Sequence, residues 1–293
     1  MNNKLLLSDE TKVRLNEGIL SNMQKSAKNA DMIYSWIKKI ELLEQKLKGH
    51  NAKHPSENHT EEKDSKNEDI SNIQNVCEYS LLISLLWLDI GSAYRIYLNA
   101  IEKYEVLYAG KQLVVTINEG YKKIYHYITI DKNGNINRLN RETSFWVKEV
   151  GGIVKEKTPF LTEKYDNISS RLDDYLEQNM EGIKQQRVLA IHYGENKNDK
   201  KISNVYEMLI NLDIEEISKK VIPFMEILTD MIHFCTDLFT EYNKLLEQKN
   251  NNFWMSHHDK LEDFKNRSKD PKVVEMLSHC QKLLIDLKNK FGN

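Results

Sequence analysis

The scarcity of chain breakers constrains this fold most: 4 prolines and 11 glycines stand in 293 residues, against usual shares of about 5% and about 7%. A sandwich or barrel of short strands needs turn residues every 8–12 positions or so, and collagen needs a glycine at every third position. Neither pattern is present, so the chain is expected to fold as long helices.

Apolar spacing supports this expectation. From Ser8 to Lys48 the residues Ile33, Trp36, Ile37, Ile40, Leu43 and Leu47 recur at three and four, which places them on one helical face. Ser8 can cap this helix, with Asp9 and Glu10 in its first turn, where acidic groups complement the helix dipole. Residues 49–68 are polar, contain Pro55 and lack apolar periodicity, so they read as a flexible linker. A second helical pattern runs through Val76, Ser80, Ile83, Trp87, Tyr94, Tyr97, Ile101, Tyr104 and Tyr108. Residues 113–140 are ambiguous: Leu113–Ile117 and Tyr125–Ile130 have strand-like composition around the turn Asp131–Asn135, but Leu113, Ile117, Tyr121, Ile124 and Ile128 step by three and four. Helix to about Tyr127 is the reading favoured, with a small β-hairpin near 113–140 as the alternative.

Further along, Thr158–Pro159 offers a cap followed by proline at the first helical position, and Phe160, Ile168, Leu172, Tyr175 and Leu176 follow on one face. Asp213–Glu216 resembles a capping box. Pro223 requires a helix start or a kink. Phe224, Ile227, Leu228, Met231, Ile232, Cys235, Leu238, Phe239 and Tyr242 make the richest apolar face, 250–258 reads as a break, and Asp270–Pro271 starts a last helix. The expected architecture is all-α, an up-and-down bundle of long helices. It comprises an N-terminal helix (1–48), a polar linker (49–68), a helical bundle (69–250) and a C-terminal helical appendage (251–293).

Charge is balanced, with 42 basic and 44 acidic residues and a net charge of -2, so the chain is no globally basic nucleic-acid binder, although a local basic patch is compatible with this balance. Three separated cysteines without a Cys-x-x-Cys exclude a disulfide framework and suit a reducing cytoplasm. The apolar run Leu81–Leu88 is too short for a bilayer, and Ser8–Glu10 interrupts Leu5–Leu7 before a signal-peptide core develops. No membrane association is expected. His50, His54 and His59 in the polar linker, and the His257–His258 pair, are read as solvated residues, so no metal is expected. Cys235 reads as core, with His233 beside it.

The segment Gln185-Gln186-Arg187-Val188-Leu189-Ala190-Ile191-His192-Tyr193-Gly194 is the sharpest candidate for chemistry. It holds an Arg-x-x-x-x-His pair, follows an amphipathic helix and precedes a polar loop and the richest core helix. It resembles the signature of the HEPN superfamily, helical domains of prokaryotic toxin, defence and CRISPR ribonucleases and of related nucleotide-binding proteins. The His192–Tyr193 pair after Ala190–Ile191 adds to the likeness. The stretches Asp89–Arg95 and Asn118–Lys123 also look like helices of HEPN proteins linked to abortive infection. The resemblance covers roughly residues 70 to 250. Val188 departs from it, since HEPN ribonucleases usually carry a polar residue just after the arginine.

The resemblance implies a metal-independent endoribonuclease without a cofactor, in phage defence or a toxin–antitoxin pair. His192, with an ordinary pKa of about 6.5, would take the proton from an RNA 2′-hydroxyl. Arg187 would stabilise the extra phosphate charge. Gln186, Tyr193, Asn196 and Lys197 would hold substrate, with Lys184, Lys200 and Lys201 near a phosphate backbone. Five residues along an ideal helix set two side chains about 140° apart, so the motif must straddle a helix end or meet a second copy. The family's sites are typically composite across a dimer, which implies a homodimer here, with RNA as substrate and an antitoxin as a further partner.

Overall fold

The computed structural model describes residues 8–53, 60–125, 129–130, 136–137, 139–180, 182–183, 214–268 and 271–291. It is an all-α bundle of long helices: α1 (Asp9–Lys53), α2 (Thr60–Asn99), α3 (Lys103–Tyr125), α4 (Leu139–Glu142), α5 (Gly151–Lys157), α6 (Thr162–Tyr175), α7 (Ile214–Arg267) and α8 (Pro271–Phe291). Two π-helical turns, Trp146–Val150 and Leu176–Met180, flank α5 and α6, and a 3-10 turn covers Pro159–Leu161. The chain divides into two compact units, Met1–Leu238 and Phe239–Asn293.

In the first unit the helices alternate in direction, and hydrogen-bonded pairs give the register. Asn16 bonds Asn99, and Asn29 donates to Ser84, so α1 runs antiparallel to α2. Tyr79 donates to the Ile124 carbonyl, and Leu86 fills the space over Gly120, so α3 runs back along α2. Trp87 donates to the Met225 carbonyl at 3.1 Å and to Thr229 Oγ1 at 3.0 Å, while Tyr94 donates to Ser218. These contacts set α7 antiparallel to α2. The ion pairs Lys164–Asp237 and Arg171–Asp230 recur at seven-residue spacing on both helices, zipping α6 antiparallel to α7. The result is the expected up-and-down order.

The core is aromatic. Trp146 is fully buried and stacks on Tyr165 at 5.0 Å, with Phe234 edge-on at 5.4 Å. Tyr175 stacks on Phe224 at 5.0 Å. A buried phenol is costly unless its hydroxyl is paired. Tyr79, Tyr121, Tyr165 and Tyr175 meet this demand by donating to the backbone carbonyls of Ile124, Leu172, Trp146 and Lys220. The Trp146 carbonyl accepts the Gly151 N–H at the end of the π-helical turn and the Tyr165 hydroxyl as well.

Several boundaries follow the sequence reading. Ser8 Oγ accepts from the Thr11 N–H at 3.2 Å, the expected cap of α1, and α8 opens at Pro271. A two-residue antiparallel ladder pairs Thr129 with Asn137 and Ile130 with Ile136. The helix expected to about Tyr127 is described to Tyr125; residues 126–128 and the turn Asp131–Asn135 lie outside the described residues.

Other boundaries differ. Helix covers 49–53 and 60–68, where the sequence suggested a linker; Glu61, Glu62 and Lys63 favour helix even without an apolar stripe. The apolar series from Val76 to Tyr108 breaks after Asn99, leaving Ile101 90% and Tyr104 69% exposed. Asn99 turns its amide onto the Arg95 carbonyl, and the Glu105 carboxylate accepts from the Ile101 and Glu102 N–H groups at 2.8 and 3.1 Å. These backbone donors hold the Glu105 carboxyl below its ordinary range. Thr158 makes no side-chain cap, and Pro159 opens a 3-10 turn before α6, leaving Phe160 exposed. α7 continues through Pro223 and through 250–258 as one helix. Asn and His are modest helix formers, and no proline stands in 250–258 to stop the helix. His50 therefore belongs to α1, and His257 and His258 to α7; His54 and His59 lie outside the described residues.

The span Glu68–Asn99 of α2 has the length and hydropathy of a membrane helix, yet 56% of that window is buried. Its buried side chains, among them Ile83, Trp87, Ile90 and Tyr94, belong to the core of the first unit, while Leu85 and Ile96 are exposed.

Candidate functional site

The residues that carry the expected chemistry, Gln186, Arg187, His192, Tyr193, Asn196 and Lys197, lie outside the described residues, as do Lys184, Lys200 and Lys201. The structure does describe the frame from which that segment leaves and to which it returns. Met180 and Ile183 are buried beyond α6, and Ile217 and Val221 are buried in the first turns of α7. Gly182 lies beside Lys220, whose Nζ would be 3.8 Å from an added Cβ. Tyr175 reaches the Lys220 carbonyl in the same region. Both flanks therefore lie at one end of the first unit.

That end also holds the C-terminal part of α2. Tyr94 is buried, and its hydroxyl donates to Ser218; burial raises its pKa, and the bond to Ser218 partly offsets this. Arg95 buries Nε without a hydrogen-bond partner among the described residues. Lys220 pairs with Glu216 at 2.8 Å.

A second polar cluster lies where α3, α4 and α6 meet. Asp173 accepts from Tyr125 at 3.1 Å and from Arg141 Nη1 at 2.7 Å, and Glu142 lies 3.6 Å from the same guanidinium. Burial, then the Asp173 charge, pushes the Tyr125 phenol well above its ordinary range. A phenol held protonated, with its proton committed to a carboxylate, is a poor general base at neutral pH. With Arg141 paired to two carboxylates, the cluster acts as a latch between helices. Sequence reading missed it because residues 125, 141 and 173 share no local pattern.

The remaining nucleophiles are quiet. Burial pushes the Cys77 thiol up to about 12, and burial with neighbouring Cys77 raises Cys235 further. A thiol that stays protonated is inert, in keeping with the reading of Cys235 as core. His233 is exposed on α7. His258 Nδ1 lies 3.7 Å from Asp259, and no group of three metal-binding side chains occurs among the described residues. The depression lined by Asn252, Met255, Ser256, Asp259, Lys260 and Asp263 is one face of a single helix.

Comparison with family models, curated proteins and solved structures finds no match for this chain.

Proposed function

We propose that this chain is a metal-independent endoribonuclease of the HEPN type, acting in the cytoplasm in phage defence or as a toxin held by an antitoxin. The observation that carries this reading is the Arg187–His192 pair, with Ala190–Ile191 just before the histidine and Tyr193 just after it, in the connection between α6 and α7. A bundle of long helices is a compatible scaffold, and bundles place sites on facing helices or at helix ends.

The chemistry needs no metal or cofactor. The His192 imidazole takes the proton of the 2′-hydroxyl, and the freed oxygen attacks the adjacent phosphate. The bond to the 5′-oxygen breaks, leaving a 2′,3′-cyclic phosphate and a 5′-hydroxyl after protonation of the leaving oxygen. The Arg187 guanidinium donates to the phosphate oxygens as their charge grows. Gln186, Tyr193, Asn196 and Lys197 hold the RNA. The five-residue separation favours a site shared between two copies, since a straight helix turns the two side chains apart.

The test is incubation of the purified chain and of His192→Ala with mixed RNA in EDTA, followed by analysis of the fragment ends. Cleavage by the parent alone, with cyclic-phosphate ends, is the expected result. Equal cleavage by both proteins would remove His192 from the reaction.

Val188 favours a second reading, a catalytically silent HEPN-like module that binds a protein or nucleotide. It occupies the position that in these ribonucleases is usually polar. No cleavage by a folded parent, with a nucleotide or an antitoxin bound, would select it.

A further inference from the structure

α3 combines aromatic rings and cations on its outward face. Its residues Lys103–Tyr125 include four lysines and two glutamates, a local excess of positive charge in a chain whose net charge is -2. Both glutamates are engaged. Glu105 accepts from the Ile101 and Glu102 N–H groups, and Glu119 accepts from Asn118 Nδ2 at 3.1 Å. α6 is the contrast. It holds four carboxylates and two basic residues, and both of the latter, Lys164 and Arg171, are paired with aspartates of α7. A polyanion is therefore drawn to the outside of α3 and repelled from that of α6.

At about 100° per residue, Tyr104, Tyr108, Lys111 and Lys122 project within one sector of about 60°. Tyr104 is 69% and Tyr108 58% exposed, Lys122 is exposed, and Lys111 is half-buried. Glu119, the acidic residue nearest this sector, is the one bonded to Asn118. The two tyrosines stand one turn apart, about 6 Å along the axis. Neighbouring bases in a stacked strand are about 3.4 Å apart. Rings at the wider spacing take one base each from a strand that is unpaired and opened. The place of the stripe also matters. α3 starts four residues after α2 ends, and the last turns of α2 meet the first turns of α7 through Tyr94 and Ser218. Tyr104 and Tyr108 therefore stand at the end of the first unit where the connection between α6 and α7 leaves and returns.

We propose that this stripe is a track for single-stranded RNA, on which Tyr104 and Tyr108 stack on bases and Lys111 and Lys122 meet phosphates. The proposal rests on the ribonuclease reading for its ligand and extends it by naming the form of the substrate. That form is an unpaired strand bound without regard to sequence, because every base has a face that a tyrosine can cover. From Tyr104 to Lys122 the track is about 27 Å long, enough for several nucleotides. Stacking and phosphate contacts do not read the 2′-hydroxyl, so single-stranded DNA fits the same track. It supplies a ligand that the proposed reaction cannot cut.

The test titrates the full chain, in EDTA, into fluorescein-labelled oligouridine and oligodeoxythymidine of roughly 12 nucleotides, within the range of single-strand site sizes, and into a duplex of the same length. Fluorescence anisotropy reads the binding. The parent is expected to bind both single strands more tightly than the duplex. Tyr104→Ala with Tyr108→Ala is expected to weaken single-strand binding by about ten-fold or more, whereas Tyr104→Phe with Tyr108→Phe, which keeps the rings, should stay within about two-fold of the parent. Lys111→Gln with Lys122→Gln should weaken binding and flatten its dependence on salt. Helical circular dichroism should be unchanged in all three variants. A parent that binds no single strand or prefers the duplex overturns the proposal. So does an alanine variant that binds as the parent does; loss of self-association in that same variant would assign the face to a second copy of the chain. Ring-dependent binding of oligodeoxythymidine, without cleavage of mixed RNA by the parent, would uphold the track and sink the ribonuclease reading alone.

Discussion

The Tyr175 hydroxyl of α6 donates to the carbonyl of Lys220, 2.9 Å away on α7 and three residues before Pro223. Pro223 has no N–H for the preceding turn, and its ring crowds that turn's carbonyls. The carbonyl that this leaves without its helical donor is that of Lys219; the phenol bonds the next carbonyl, Lys220, and ties α6 to α7 at that turn. Tyr175→Phe should lower unfolding stability by about 1 kcal/mol. In a Pro223→Ala background, which returns a donor to Lys219 and not to Lys220, the loss should be unchanged. Denaturant titration of the four proteins measures the coupling; a clearly smaller loss in the alanine background would mean that the phenol serves the proline turn.

Trp87 ties α2 to α7. It is 2% exposed, and its N–H is shared between the Met225 carbonyl and Thr229 Oγ1. Trp87→Ala should cost about 3–5 kcal/mol through the cavity it leaves. Thr229→Val removes one acceptor and keeps the carbonyl, so it should cost about 1 kcal/mol or less. Urea midpoints at constant slope give both values.

Two helical glycines should respond to alanine with opposite signs. A Cβ on Gly120 would lie 2.4 Å from Leu86 Cδ1, where α2 and α3 approach, whereas a Cβ on Gly18 would meet nothing within 4 Å. Leu86 is itself buried and has little room to yield. Gly120→Ala should destabilise by roughly 1–3 kcal/mol, and Gly18→Ala in α1 should stabilise by up to about 1 kcal/mol. Thermal melts of the two variants decide the signs.

The buried thiols and phenols make the fold sensitive to alkali. Burial raises Cys77 from 9.0 to about 12 and Tyr165 from 10.0 to about 12. Their protonated forms are favoured in the folded chain, so the stability they contribute is full below pH 9. It falls as the unfolded chain ionises and is lost as pH rises to about 12. The melting temperature should therefore decline above about pH 9. At pH 8 iodoacetamide should modify the partly exposed Cys280, sparing Cys77 and Cys235 until denaturant is added.

Legibility in the sequence followed the range of the interaction. The Ser8 cap, the Pro271 start and the apolar face from Phe224 to Leu238 were readable because each lies within a few turns of one helix. The break after Asn99 was readable in principle: Glu102 and Glu105 stand at capping-box spacing, a signal masked by the apolar spacing of Ile101, Tyr104 and Tyr108. The Tyr125–Arg141–Asp173 latch was not readable, because its members join only when three helices meet. The Arg187–His192 pair was found by its local spacing, its neighbours and its place between two helical patterns, and it lies outside the described residues.

By itself, the sequence determined that this protein would be helical, since 4 prolines and 11 glycines leave long stretches uninterrupted and apolar residues recur at helical intervals. Tertiary structure decided which helices continue and which faces meet. It carries α7 through Pro223, one turn beyond the Lys220 carbonyl to which a phenol on another helix is bonded. It also buries Gln281 in the α8 hairpin while Met276 and Leu283 face outward. The physical reason is that local propensity is worth less than about 1 kcal/mol per residue, whereas burial of a large side chain is worth about 1.5–3 kcal/mol and depends on partners distant in the chain.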